Sequence, residues 1–169
     1  MRGNLPALPY GASGCLTRDK FKDFDLRLEW KIEPGGNSGI IYRCSEDGGA
    51  MWQTGPEMQV LDSARHGDDA QSKHTAGANY ALHAPAMDVT RPAGSWNQAR
   101  VIVRGNHVEH WLNGWKVVEY ELGSDDWKER LAASKFAKTP GWGTQPEGHI
   151  GLQDHGNRVW YRNLKIREL

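Results

Sequence analysis

The chain has 169 residues, with 21 Lys plus Arg against 21 Asp plus Glu, so charges balance at neutral pH. That length allows one domain with a real core, and the lack of a basic excess argues against nucleic acid as a partner. No stretch approaches the ~20 apolar residues of a membrane span, while eight tryptophans and twenty glycines suit short strands joined by many turns.

Residues Met1 to Gly14 read as a loop-like segment rich in Gly and Pro, without the charged-then-apolar pattern of a secretory leader. The two cysteines, Cys15 and Cys44, are either free thiols or one disulfide, and their spacing does not choose. Each falls in an expected strand, which favours free thiols packed as small apolar side chains. Phe24 to Ile32 alternates: Phe24, Leu26, Leu28, Trp30 and Ile32 share one face, and Asp25, Arg27, Glu29 and Lys31 the other. A Pro-Gly-Gly-Asn turn follows, then strands over Ser38 to Arg43 and Glu57 to Leu61. Asp62 to Thr90 is loop-like, and a loop of that length inside one domain is often functional. Ala99 to Arg104, His107 to Leu112 and Lys116 to Glu121 form a meander turned at Gly105-Asn106 and Asn113-Gly114. Ser124 to Lys135 is the one helical segment: an N-cap Ser, acids in the first turn, and Trp127, Leu131 and Ala132 at helical spacing. His149 to Gln153 and Val159 to Arg167 complete the strands. The expected architecture is a single antiparallel β-sandwich over 15–169 with one small helix, and most tryptophans are expected in its core.

Period-two geometry groups the polar residues. Glu57 and Gln59 share a face, as do Gln153 and His155, and Asn37 aligns with Arg43 through Gly39 and Ile41. If those strands are neighbours, their polar rows merge into one patch. Glycine within such rows often marks the close approach of a ligand; the competing reading is a solvated sheet face. Glu57 and Asp62, five residues apart, would share a pocket at a strand end, and paired carboxylates are the normal tool of glycoside hydrolysis. His155 suits work as a base or an acid. None of the seven histidines has helical metal-site spacing, but Glu57, Asp62 and His155 would suit a divalent cation through mixed O and N ligands. No Walker loop, dinucleotide fingerprint or nucleophile elbow is present.

Five strings now stand together: NSGIIYR at 37–43, TGPEMQVLD at 54–62, AGANYALHAPA at 76–86, SWNQARVIVRGNHVEHWLNG at 95–114, and the run from Ser134 to the C-terminus containing GLQDHG. In this combination and order the chain resembles the 3-keto-disaccharide hydrolase family. The resemblance implies a concanavalin-like jelly roll of two antiparallel sheets, one strand of which would precede Cys15; that strand is either missing or supplied by Leu5 to Tyr10. It further implies cleavage of glycosidic bonds in sugars oxidised at carbon 3, and export from a glycan-degrading bacterium to the periplasm or medium. On that basis Glu57 or His155 is the expected base. Arg43 and Gln153, or a bound divalent cation, would steady the enolate oxygen, and Asp62, Gln59 and Asn37 would hold hydroxyls. Tyr80 and His110 lie on matching segments and either line the cleft or pack. The expected partner is a carbohydrate. The alternatives are a lectin-like binding module without catalysis and an interaction domain with a broad apolar patch.

Overall fold

A computed structural model describes residues 14–46, 49–66 and 72–169. Leu5 to Tyr10, the candidate for an extra edge strand, lies outside them. Nine strands are described: β1 (Gly14–Leu16), β2 (Phe24–Ile32), β3 (Asn37–Cys44), β4 (Glu57–Leu61), β5 (Asn97–Arg104), β6 (His107–Leu112), β7 (Trp115–Glu121), β8 (His149–Gln153) and β9 (Val159–Glu168). They form two antiparallel sheets, in the orders β1-β8-β3-β4 and β7-β6-β5-β2-β9. A single turn of helix, α1 (Ser63–His66), follows β4, and α2 (Asp125–Ala132) follows β7.

The alternation in β2 does what its pattern dictates. Phe24, Leu26, Leu28, Trp30 and Ile32 are all buried between the sheets, where they meet Ile40, Tyr42, Met58 and Val60 of the facing sheet and Val101, Val103 and Val108 of their own. Asp25, on the opposite face, is buried too. It is buried because the guanidiniums of Arg100 and Arg27 close over it, at 2.7 and 3.0 Å. The Arg100 hydrogen bond, reinforced by Arg27, holds its carboxyl far below the ordinary carboxylate range against the opposing effect of burial. At the β6–β7 turn Asn113 and Gly114 both have positive φ, 49° and 88°, the conformation that makes Asn-Gly the preferred two-residue hairpin turn. Both cysteines are free, Cys44 buried and Cys15 partly so.

The helix is cut to size by its cap. The Ser124 hydroxyl accepts from the Trp127 amide at 3.1 Å, and Asp125 and Asp126 occupy the positive end of the helix. Trp127 then stacks on Trp142, which stacks on Phe136 with ring centroids 4.2 Å apart. This pile ties the segment after α2 to the sandwich. Ser124→Ala should cost about 1 kcal/mol in a urea titration, and a wild-type midpoint would show the cap to be idle. The expectation that most tryptophans are core holds only for Trp30, Trp127 and Trp142; Trp115 and Trp160 are exposed, and the remaining three are half-buried.

Candidate active site

The outward face of the four-stranded sheet carries the polar rows. β3 lies between β8 and β4. Ile41 pairs with Glu57, Gly39 with Gln59, and Ile41 on its other side with Gly151. Paired residues point the same way, so Asn37, Gly39, Glu57, Gln59 and Gln153 share this face. One half of the face is covered: Met51 packs on Leu16, Ile41 and Cys44, and a Cβ on Gly151 would come within 2.6 Å of its sulfur. The other half is an open cleft of about 380 Å³, lined by Asn37, Trp52, Glu57, Gln59, Tyr80, Lys135, Gln153, Asp154 and His155.

Glu57 lies at its floor, 6% exposed. Its carboxyl has no hydrogen-bond partner among the described residues. Burial pushes it up to about 8, and the Lys135 ammonium acts against that rise. The space it occupies exists because residue 39 has no side chain: a Cβ there would lie 1.8 Å from Glu57 Oε1. Beside it Gln59 Nε2 donates to Asn37 Oδ1 at 3.1 Å, which fixes two amides edge to edge along the cleft wall. The loop after β4 folds back on that strand. Tyr80 N donates to Glu57 O at 3.0 Å and Gly77 N to Gln59 O at 2.9 Å, so Tyr80 stands over the cleft. Lys135, presented by the segment that Phe136 anchors, has its Nζ 4.3 Å from the Tyr80 ring centroid and 5.1 Å from that of Trp52. It also donates to Tyr80 Oη at 3.3 Å. A cation is thus held against two aromatic faces at the mouth, with a buried carboxyl beneath. His155 and Asp154, both exposed, form the opposite lip.

Of the residues expected from sequence, six line this cleft: Asn37, Glu57, Gln59, Tyr80, Gln153 and His155. Three do not. Arg43 is carried off its row by a register shift between Ile41 and Cys44 and a positive φ of 50°. Its guanidinium donates to the carbonyls of Lys22 and Gly105, both at 2.8 Å. Asp62 is an odd number of positions from Glu57, which turns it to the other side of the strand line; its Oδ2 accepts from Gly35 N at 2.8 Å. His110 is in the core, accepting from or donating to Tyr42 Oη through Nε2 at 2.8 Å and facing the Gly77 carbonyl through Nδ1 at 3.0 Å. With Nδ1 protonated toward that carbonyl, Nε2 accepts from Tyr42, and burial lowers the imidazole to about 4, so it stays neutral. The cation set Glu57, Asp62 and His155 is therefore not assembled, and the positive charge facing Glu57 is Lys135.

Trp52, Lys135 and Asp154 line the cleft without being expected from sequence, where alternation sets Asp154 with Ile150 and Leu152 rather than with Gln153 and His155. Trp52 is in a 3₁₀ turn, Met51–Gln53, outside any alternating segment; Lys135 is just past the helix, and only its flanking aromatic Phe136 hints that the segment packs back.

The family profile described as a 3-keto-alpha-glucoside-1,2-lyase-like domain matches residues 9–167. A curated 3-keto-disaccharide hydrolase from Bacteroides thetaiotaomicron is 37% identical over 174 residues; the match covers 89% of this chain and 60% of the relative, so the chain spans about three fifths of that protein's length. Among solved structures, a provisionally assigned glycosyl hydrolase from Parabacteroides distasonis superposes with a TM-score of 0.84 at 33% identity, over 92% of this chain and 76% of that one. The carbohydrate-binding module CBM66 from Bacillus subtilis superposes at 0.59 with 12% identity, over 93% and 83% of the two chains, and shares the fold alone.

Proposed function

The chain belongs to the 3-keto-alpha-glucoside-1,2-lyase-like family, and from that premise we propose that it cleaves glycosidic bonds of 3-keto-glycosides by elimination followed by hydration. The observation that carries this reading is Glu57: a carboxyl raised to about 8 by burial, facing a lysine ammonium in an open polar cleft. A ketone at carbon 3 acidifies the hydrogen on carbon 2. Glu57 takes that proton, and the electron pair moves onto the carbon-3 oxygen as an enolate. Lys135 stabilises the negative oxygen. The enolate then collapses: the ketone re-forms, a double bond forms between carbons 1 and 2, and the carbon-1 oxygen leaves with a proton from His155. Water adds its hydroxyl to carbon 1 and a proton to carbon 2, which returns a free 3-keto sugar. Asn37, Gln59 and Gln153 suit the ring hydroxyls, and Trp52 and Tyr80 suit a ring face.

A carboxyl that titrates near the working pH is a stronger base than an ordinary carboxylate and is still partly ionised there, the compromise that general-base catalysis favours. The test is to incubate the protein with 3-keto and unmodified disaccharides, with and without chelator, and to assay released sugar. Cleavage of the keto substrate alone, insensitive to chelator, is expected. Binding of either sugar without cleavage would make the chain a lectin-like module instead, and loss of activity on chelation would return the oxyanion role to a cation.

A further inference from the structure

The outward face of the five-stranded sheet, on the far side of the sandwich from the cleft, has a different chemistry. Antiparallel register sets Lys165 beside Arg27, Arg27 beside Arg100, and Arg100 beside Trp111. This row crosses β9, β2, β5 and β6, and ends with the Arg100 guanidinium 5.8 Å from the Trp111 ring centroid. It lines a depression of about 570 Å³ that Glu29, Gln98 and Asn163 also border. Asp25, buried beneath, takes Arg100, Arg27 and Arg167 at 2.7, 3.0 and 3.6 Å. With Glu29 and its partner Arg162 counted, two carboxylates stand against four guanidiniums, which leaves a positive excess, and Lys165, which has no ion pair among the described residues, adds to it. Asp25 also holds the guanidiniums in place, so little side-chain freedom remains to be lost when a ligand binds. Farther along the same face Lys31 Nζ stands 4.5 Å from the Trp160 ring and Arg162 stands 3.9 Å from that of Trp96. The pattern of cation beside aromatic thus extends beyond the space of one sugar.

We propose that this face docks an anionic polysaccharide, whose carboxylate or sulfate groups pair with Arg27, Arg100 and Lys165 while a sugar ring lies against Trp111. Guanidinium forks match both kinds of oxyanion, and an indole offers its apolar body to a sugar ring. The chain as a whole is neutral, so the attraction is local and acts within about a Debye length. The positive row is bounded on β6 and β7 by Glu109, Glu119 and Glu121, which suits one anionic group per sugar better than a closely charged phosphate backbone. The site is independent of the cleft and of its assigned chemistry.

The whole chain is titrated at low salt with dextran sulfate, polygalacturonate, neutral dextran and oligothymidylate. Binding to dextran sulfate, to polygalacturonate or to both is expected, weakening as salt rises, and the preferred polymer identifies sulfate or carboxylate as the group read. The double variant Arg27→Gln/Lys165→Gln should bind at least about tenfold more weakly, and Trp111→Ala should also lose affinity, each with wild-type circular dichroism. Glu57→Gln should bind as the wild type does, which separates this face from the cleft. Failure of both charged polymers, equal binding of neutral dextran, equally tight binding of oligothymidylate, or wild-type affinity in the folded variants would each overturn the proposal.

Discussion

Replacing Glu57 with Gln should lower turnover of a 3-keto-disaccharide by on the order of 10²–10⁴, the usual cost of losing a general base. The substitution is nearly isosteric and fills the space left open by Gly39, so folding should survive and the loss should fall on kcat. The pH profile gives an independent reading. Glu57 works as a base only when ionised, and burial pushes it up to about 8. The ascending limb of the wild-type pH profile should therefore report Glu57, and the residual rate of the variant should lack that limb. Lys135→Met removes the charge that acts against the rise, so its ascending limb should move to higher pH and its maximal rate should fall as enolate stabilisation is lost. His155 gives its proton in the collapse that completes the same elimination, so the losses of His155→Ala and Glu57→Gln should be non-additive. Wild-type turnover by Glu57→Gln in a folded protein would remove this residue from the chemistry.

The parts of this molecule that were legible in the sequence are those governed by period two. The five alternating residues of β2 are buried as their spacing requires, and the bounds of Glu57–Leu61, His107–Leu112 and His149–Gln153 fall where the pattern changes. The same rule brought Asn37, Glu57, Gln59 and Gln153 to one face, once β3 was found between β4 and β8. The failures also have physical causes. Arg43 obeys alternation on paper, but a bulge reverses it, and bulges have no reliable signature in a single sequence. Asp62 was grouped with Glu57 by proximity along the chain, although an odd separation in an extended segment turns the two side chains apart. Lys135 comes from a segment remote in sequence and is placed by the stack of Phe136 on Trp142, a tertiary contact that local pattern does not reveal. Alternation puts Asp25 on the face opposite the apolar residues, but its burial there follows from Arg100 on the neighbouring strand, which local pattern does not reveal.

The buried carboxyl should also be visible in stability alone. In the unfolded chain Glu57 ionises near its ordinary value of 4.5, whereas in the folded chain it keeps its proton until about pH 8. Between those values unfolding releases a proton, so the folded state binds more protons than the unfolded one and stability falls as pH rises. The stabilising effect is complete below about 4.5, declines through the window and is gone above about 8. At ~1.4 kcal/mol for each pH unit, the total is of order 3–5 kcal/mol. Histidines titrate in the same interval, so the quantity to measure is the difference between wild type and Glu57→Gln in urea titrations at pH 5, 6.5 and 8. The glutamine cannot ionise, and the other groups cancel in the difference. The variant should gain on the wild type steadily with pH and be the more stable protein at pH 8, while being nearly inert toward substrate. That pairing of greater stability with lost turnover is what a functional group held at a cost to the fold requires. A difference that stays constant across the three pH values would mean that Glu57 is ionised in the folded chain from the outset, and a base of ordinary strength would then have to be sought elsewhere in the cleft.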